Sequence, residues 1–325
     1  MKKYTLCMVL FLSVLTMPAH SALKKAAQTG LQFLKVDVGA RAAAMGGAFM
    51  MVGNDANALF YNPAGIAKMN ASFDLLANRT QWIAGISYIA VGCVKNLGSW
   101  GSIGISFITS DYGDIYGTRL SGSDKGYEET GNVNVGAYAV GIAYAKQLTD
   151  KFTVGGQIKY AYQHLGENLF SNNETAKNQV SGLAYDFGTM FYPGFKSFRL
   201  GMSIRNFSPQ FKYQQYAFQL PLTFVLGFAM DVLDFTGRHD NSLIVAVDAI
   251  HPRDYTERIH VGAEYLLMNM FAFRVGYKFN YDEESFTAGL GFEKKVGGLQ
   301  IKLGYAYSDF GVFDNVNRIS FGCSF

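Results

Sequence analysis

The chain has 325 residues, of which 16% are charged and 15% aromatic, with 36 Gly and only 6 Pro. Its 28 basic and 25 acidic residues give a net charge of +3, and two of the lysines, Lys2 and Lys3, stand at its very start. Charged residues fall well below the roughly 25% of a soluble domain, the apolar content excludes a disordered chain, and the absence of a clustered basic excess excludes a nucleic-acid binder.

Lys2 and Lys3 form a positive n-region, Leu6 to Met17 is an apolar run ended by Pro18, and Ala19-His20-Ser21 is a small-x-small cleavage site before Ala22. Residues 1–21 therefore read as a secretory signal peptide, too short to cross a bilayer of about 30 Å as a helix. Cys7 lies inside the apolar run and not at a cleavage junction, which excludes a lipoprotein. No later stretch reaches about 18 consecutive apolar residues, so no helical span is expected. After the leader only Cys93 and Cys323 remain, too few for a disulfide framework, and both read as small apolar side chains in strands. An exported chain rich in apolar surface, with no transmembrane helix, leaves a closed β-barrel as the way to satisfy every backbone group in lipid.

Residues 22–70 lack period-two alternation and are rich in Ala, Gly, Met and Asn. Asn54-Asp55 can cap a short helix over Ala56–Phe60. Asn62 can cap a second one, with Pro63 at its first position. This segment reads as a compact hatch folded into or beneath the barrel. Gly46-Gly47 is not a phosphate loop, because no Lys-Ser/Thr follows and no parallel strand–helix unit is present.

From about Ser72 the pattern has period two, bounded by Gly, Asn and Asp clusters. Phe273, Val275, Tyr277 and Phe279 alternate with Arg274, Gly276, Lys278 and Asn280, and Ile301, Leu303, Tyr305 and Tyr307 with Lys302, Gly304, Ala306 and Ser308. Alternation alone fits a soluble sandwich or a membrane barrel, but runs of roughly 10–14 residues suit a tilted membrane strand. The count is fourteen strands, at about 72–78, 83–94, 99–110, 132–146, 151–165, 179–192, 197–206, 219–231, 242–251, 257–266, 270–280, 284–294, 298–308 and 316–325. Short turns alternate with long connections, the asymmetry of outer-membrane barrels, except at Val232–Asn241, which is long on the short side. Tyr88, Trp100, Tyr112, Tyr160, Tyr162, Tyr192, Tyr265, Tyr305 and Tyr307 fall near strand ends, as interfacial girdles do. The expected lumen face carries Lys159, Asp186, Arg199, Arg205, Asp248, His260, Glu264, Arg274, Lys278, Glu293, Lys302 and Arg318, of mixed sign and so not a charge-selective ring. In the last strand Ile319, Phe321, Cys323 and Phe325 share one face. Closing on an aromatic resembles the C-terminal assembly signature of bacterial outer-membrane barrels, which assigns that role to Phe321 and Phe325.

The run Gly30 to Ala48, with Asp37, Gly39, Arg41, Met45, Gly46 and Gly47, then Asn54 to Gly65, with Asp55, Asn62 and Pro63, resembles the opening of PorV/PorQ family outer-membrane proteins. Trp82–Tyr88, Asp111–Ile115, Tyr144–Asp150 and Val154–Tyr160 extend the resemblance, which covers about residues 30–165. The Asn-Pro-Ala-Gly element, Asn62 to Gly65, is shared more loosely with FadL-type transporters, whose fold is a fourteen-stranded barrel with an N-terminal hatch. The resemblance implies a Gram-negative outer-membrane barrel and a part in type IX secretion, where members of the family hand cargo to a surface-attachment complex or belong to it.

No catalytic constellation can be assembled. His260 and Glu264 lie two steps apart on one strand face and read as a lumen polar pair. The acidic residues of Asp111–Gly131 lack calcium-loop spacing. The expectation is an all-β chain: a 14-stranded antiparallel transmembrane barrel over 71–325, a small helical hatch over 22–70 and a leader over 1–21. It is expected in the outer membrane after cleavage of the leader, and is neither an enzyme nor a cofactor or metal protein. Its partners are expected to be outer-membrane lipid and secretion or surface-attachment proteins. The alternative is a FadL-like transporter of a hydrophobic ligand.

Overall fold

The computed structural model describes residues 28–169, 175–213, 215–236 and 241–325. The predicted leader and residues 22–27 of the hatch lie outside the described residues. Fourteen strands close into one antiparallel barrel. They are β1 Phe73–Gln81, β2 Ser87–Asn96, β3 Ser102–Asp111, β4 Val135–Thr149, β5 Phe152–Leu169, β6 Thr175–Phe191, β7 Arg199–Phe207, β8 Thr223–Asp231, β9 Ser242–Pro252, β10 Arg258–Leu267, β11 Phe271–Phe279, β12 Phe286–Val296, β13 Leu299–Asp309 and β14 Asn315–Ser324. Each pairs with its chain neighbours, and β1 closes on β14 with Leu75 opposite Cys323 and Arg79 opposite Ile319. Closure leaves no free edge at mid-barrel, as a hydrocarbon environment demands. No described helix is long and apolar enough to cross a membrane.

Burial separates the sandwich from the membrane barrel. Along β11 the apolar Phe271, Phe273, Val275, Tyr277 and Phe279 face outward and are exposed. Arg274 and Lys278 face inward, 4% and 6% exposed. A water-soluble sheet would turn those cations out. An apolar outer belt around a charged interior is the inside-out pattern of a lipid-facing barrel.

Three of the expected girdle positions are corrected by this geometry. Tyr88 points inward and is 6% exposed, Tyr112 lines an internal cavity, and Tyr192 packs against the hatch core. Tyr88 shares the parity of the lumen-facing residues of β2, since its neighbour Ile89 is on the outer face. Two short hairpins escaped the periodicity: Tyr116–Leu120 with Tyr127–Asn132, and Phe211–Lys212 with Ala217–Phe218.

The lumen is filled by the segment up to Asn70. After a 3-10 turn at Gln32–Lys35 come a one-turn α-helix, Ala40–Ala44, and two 3-10 helices, Ala56–Phe60 and Pro63–Lys68. Asp55 caps the first 3-10 helix by accepting from the Asn57 amide, and Asn62 caps the second by accepting from the Ala64 amide. Met45, Phe49, Met50 and Met51 pack on wall residues Met190, Val225, Ala229 and Ala246.

So tight a fit needs a thin wall. Several inward positions facing the hatch are glycines. A Cβ on Gly155 would lie 2.5 Å from the Ala64 amide nitrogen, one on Gly289 2.5 Å from Ala44 Cβ, and one on Gly276 would overlap the backbone of Gly46. The glycine alternation in the strands is therefore a packing requirement of the hatch, whose backbone lies directly on the wall.

Candidate functional site

The polar residues of the inner wall hold the hatch. Arg41 makes a two-pronged contact to Glu264, Nε to Oε2 at 2.8 Å and Nη2 to Oε1 at 2.7 Å, and Arg274 Nε adds a third at 2.6 Å. Arg41 also reaches Asn54 and Asp55 at 3.4 Å. Lys302 binds Asp74 at 3.1 Å and lies 3.8 Å from Asp55. Burial would raise the Asp55 pKa, but the Lys302 and Arg41 charges outweigh it and keep the carboxyl below its usual value.

Many of the remaining wall groups bind the hatch backbone. Asp248 accepts from the Phe49 and Met50 amides at 2.9 and 3.0 Å. Arg199 donates to the Met51 carbonyl, Arg205 to that of Phe60 at 2.9 Å, and Arg318 to that of Asp37 at 3.2 Å. Lys278 Nζ lies 2.7 Å from the Asp37 carboxylate and also meets Glu284. Glu293 accepts from Gln300 and takes no hatch bond among the described residues.

His260 and Glu264, paired by the sequence reading, belong to different clusters: His260 Nε2 meets the Tyr281 hydroxyl at 2.7 Å, while Glu264 joins the arginines. The hatch positions act by shape as well as charge. Gly39, Gly46 and Gly47 have φ of 88°, 66° and 76°. Met45 is fully buried, and a Cβ on Gly65 would overlap the Gly53 carbonyl. Phe321 and Phe325 lie on the outer face. Phe325 stacks on Phe73, with ring centroids 5.1 Å apart.

Above the hatch, on the side of the long connections, is a cavity of about 400 Å³. The sequence reading placed Arg205, His260 and Lys278 on the lumen face but missed the cavity, because they are brought together with loop and hatch residues only by the closed fold. The chain from Thr29 to Lys35 descends through it. Thr29 bridges Gln219 and donates to Asp254 at 2.8 Å, and Lys35 Nζ sits 2.9 Å from the same carboxylate. Burial would raise the Asp254 pKa, but the Lys35 ammonium outweighs it and holds the carboxyl below its usual value. One wall is apolar, with Phe33, Leu34, Trp82 and Ile86. The facing wall carries Arg205, Arg258 and Lys278, with Tyr255 and Tyr281.

A narrow void of about 30 Å³ shares Leu34, Val36, Arg205 and Asn206 with this cavity. It reaches toward a defect in the wall. The pairing of β6 with β7 stops at Tyr185–Phe207, and the outer residues of β6, Thr175–Ala184, have no strand partner on that side among the described residues. At the defect Asn206 has φ of 61°, and its amide donates to the Asp186 side chain at 2.7 Å instead of to a strand carbonyl. Lys159 pairs with Asp186 at 2.8 Å. Phe211, from the inner hairpin, is buried against Gly182 and covers the defect from within.

Among the described residues no group of three His, Cys, Asp or Glu could hold a metal ion. Cys93 and Cys323 are free and both lie opposite Leu75, on the two strands flanking β1.

These features define the class: a closed, hatch-filled barrel of the outer-membrane kind. No protein-family model matches the sequence, and no curated protein matches it either. The chain is similar in fold to the toluene transporter TodX of Pseudomonas putida, with a TM-score of 0.57 and 14% identity over 88% of this chain and 96% of that one. It is similar also to a FadL homologue of Pseudomonas aeruginosa, with a TM-score of 0.57, 11% identity and coverage of 89% and 98%. A third similar structure is the toluene transporter TbuX of Ralstonia pickettii, with a TM-score of 0.53, 14% identity and coverage of 88% and 98%. At such identities the likeness is one of fold, and it extends over nearly the whole of both chains.

Proposed function

We propose that the protein is an outer-membrane transporter that admits small, largely apolar molecules at the mouth cavity and passes them along the hatch. The cavity of about 400 Å³ carries this reading, since it falls in the size range of small-molecule sites. The void, which touches Asn206 beside the β6–β7 defect, supports a route that leaves sideways past Phe211. The toluene transporters and the FadL homologue support it by fold analogy. The PorV/PorQ resemblance of Gly30 to Gly65 supports a second reading, an interaction component of protein secretion, and the outward-facing defect would suit a protein partner equally well.

Uptake decides between the two. Cells producing the chain are compared with empty-vector cells for the initial uptake of labelled alkylbenzene and fatty acid. Faster uptake, abolished when Phe211→Trp enlarges the cover, supports transport. Unchanged uptake with stoichiometric co-purification of an outer-membrane complex favours the secretion reading.

A further inference from the structure

The mouth cavity has a charge imbalance. Lys35 is paired with Asp254, and Lys278 with Asp37 and Glu284. Arg205 and Arg258, which line the same cavity, enter no ion pair among the described residues. The Nε of each is buried without an acceptor. The Arg258 guanidinium packs against two rings, 3.8 Å from the Tyr281 centroid and 4.2 Å from that of Tyr255. A guanidinium held against rings offers its N–H edge, the fork that matches a carboxylate. A half-buried cation without a counter-charge is unfavourable until an anion arrives.

Across the cavity stand Phe33, Leu34, Trp82 and Ile86, a largely apolar wall with no charged side chain of its own. An uncharged hydrocarbon would leave both arginines unmatched. A bare inorganic anion would leave the apolar wall wet.

Deepening the transport reading, and resting on it, we infer that the mouth cavity takes a small organic carboxylate with an aromatic body. Its carboxylate lies on the N–H edge of Arg258 and its ring against Trp82.

The chain has two tryptophans, and Trp100 is exposed at a turn on the opposite end, so Trp100→Phe leaves Trp82 as the reporter. The full-length protein in lipid nanodiscs is titrated with 4-phenylbutanoate, with its methyl ester and with inorganic phosphate. The acid is expected to quench Trp82 saturably. The ester should bind at least ~10-fold more weakly, and phosphate should neither quench nor compete. Arg258→Gln should weaken the acid by about tenfold and leave the ester unchanged, while Arg258→Lys restores part of the loss.

Equal affinity for acid and ester, unmoved by Arg258→Gln, overturns the carboxylate inference and leaves the transport reading standing. Competition by phosphate as strong as the acid's overturns the aromatic-body assignment. Binding of neither organic probe overturns the inference and the reading beneath it. The acid–ester comparison on the Arg258-containing protein needs no substitution in the cavity and does not depend on the variants folding.

Discussion

Arg41 in the hatch and Glu264 in β10 form a forked ion pair, 223 residues apart in sequence, with both hydrogen bonds under 3 Å. Arg274 completes it from the next strand. Glu264 is 4% exposed, so its charge has no water to fall back on if the arginines are removed.

Removing Glu264 should therefore cost more than removing either arginine, because it orphans both. Arg41→Gln leaves Glu264 with Arg274 and Asp55 with Lys302, and is expected to loosen the hatch by about 1.5–3 kcal/mol. The triple variant Arg41→Leu, Glu264→Leu and Arg274→Leu should lose less than the sum of the singles, because it buries no orphaned charge. Limited proteolysis of the hatch, followed alongside single-channel conductance, reads this out: the Arg41→Gln protein should be cut sooner and show larger, flickering openings. Conductance as low and steady as the parent's would remove the pair from the list of hatch anchors.

Gly276 gives a test of fit without charge. Its missing side chain is where the Gly46 backbone lies. Gly276→Val keeps the strand alternation and is well suited to a β-strand, yet it cannot be seated with the hatch in place. The barrel should still form and migrate anomalously on unheated gels, while the hatch becomes accessible to protease. Overpacking of this kind costs at least about 1–3 kcal/mol. Gly156→Val, on the outer face of β5 and clear of the hatch, is the control and should leave the hatch protected.

The strands were legible in the sequence because lipid on one side and the hatch on the other impose opposite demands at every second residue. The segment predicted as 270–280 is Phe271–Phe279, and that predicted as 298–308 is Leu299–Asp309. The Asp55 and Asn62 caps were legible because capping is local chemistry. Partners across the lumen were not, since nothing in a one-dimensional pattern couples Arg41 to Glu264. The mouth cavity was hidden for a related reason: Trp82, Tyr255 and Tyr281 come from connections, where no period marks the inward face, and nothing couples them to Arg258, which shares the inward parity of His260. Tyr88 differs, because the parity of Ile89 already placed it inside; its position near a strand end drew the girdle assignment instead.

Asp37 makes the docked hatch sensitive to acid. Burial would raise its pKa, but the Lys278 and Arg318 cations prevail and hold the carboxyl far below the usual carboxylate range. A group whose pKa is depressed in the docked state contributes stability above its free value of about 3.9, and that contribution is lost as pH falls. Docking should thus be flat from pH 7 to 5 and weaken by roughly 1 kcal/mol from this group by pH 3. Asp37→Asn should dock less well at pH 7 and lose less on acidification. Hydrogen exchange of the hatch amides at pH 5 and pH 3 measures both, and an equal loss in the two proteins would show that other carboxylates carry the acid response.

Phe325 tests whether the last residue serves the finished barrel or its assembly. Its amide and carbonyl both bond to Phe73, at 3.0 and 2.8 Å, and its ring stacks on Phe73. Deleting it would remove backbone bonds and ring together, so Phe325→Ala is the cleaner change because it keeps the closure of β1 on β14. The ring is 58% exposed on the outer face, so its burial against neighbours contributes only part of the roughly 1.5–3 kcal/mol of a fully buried Phe. The melting temperature of inserted protein should barely move. If the aromatic is read by the assembly machinery, the quantity inserted should fall severalfold in the same cells. Cys323→Ser, two residues earlier on the same face, adds one polar atom and should change neither quantity much. The comparison of outer-membrane level with unfolding temperature for both variants separates the roles. A Phe325→Ala chain that inserts at the parent's level would show that the terminal ring acts only through its stack on Phe73.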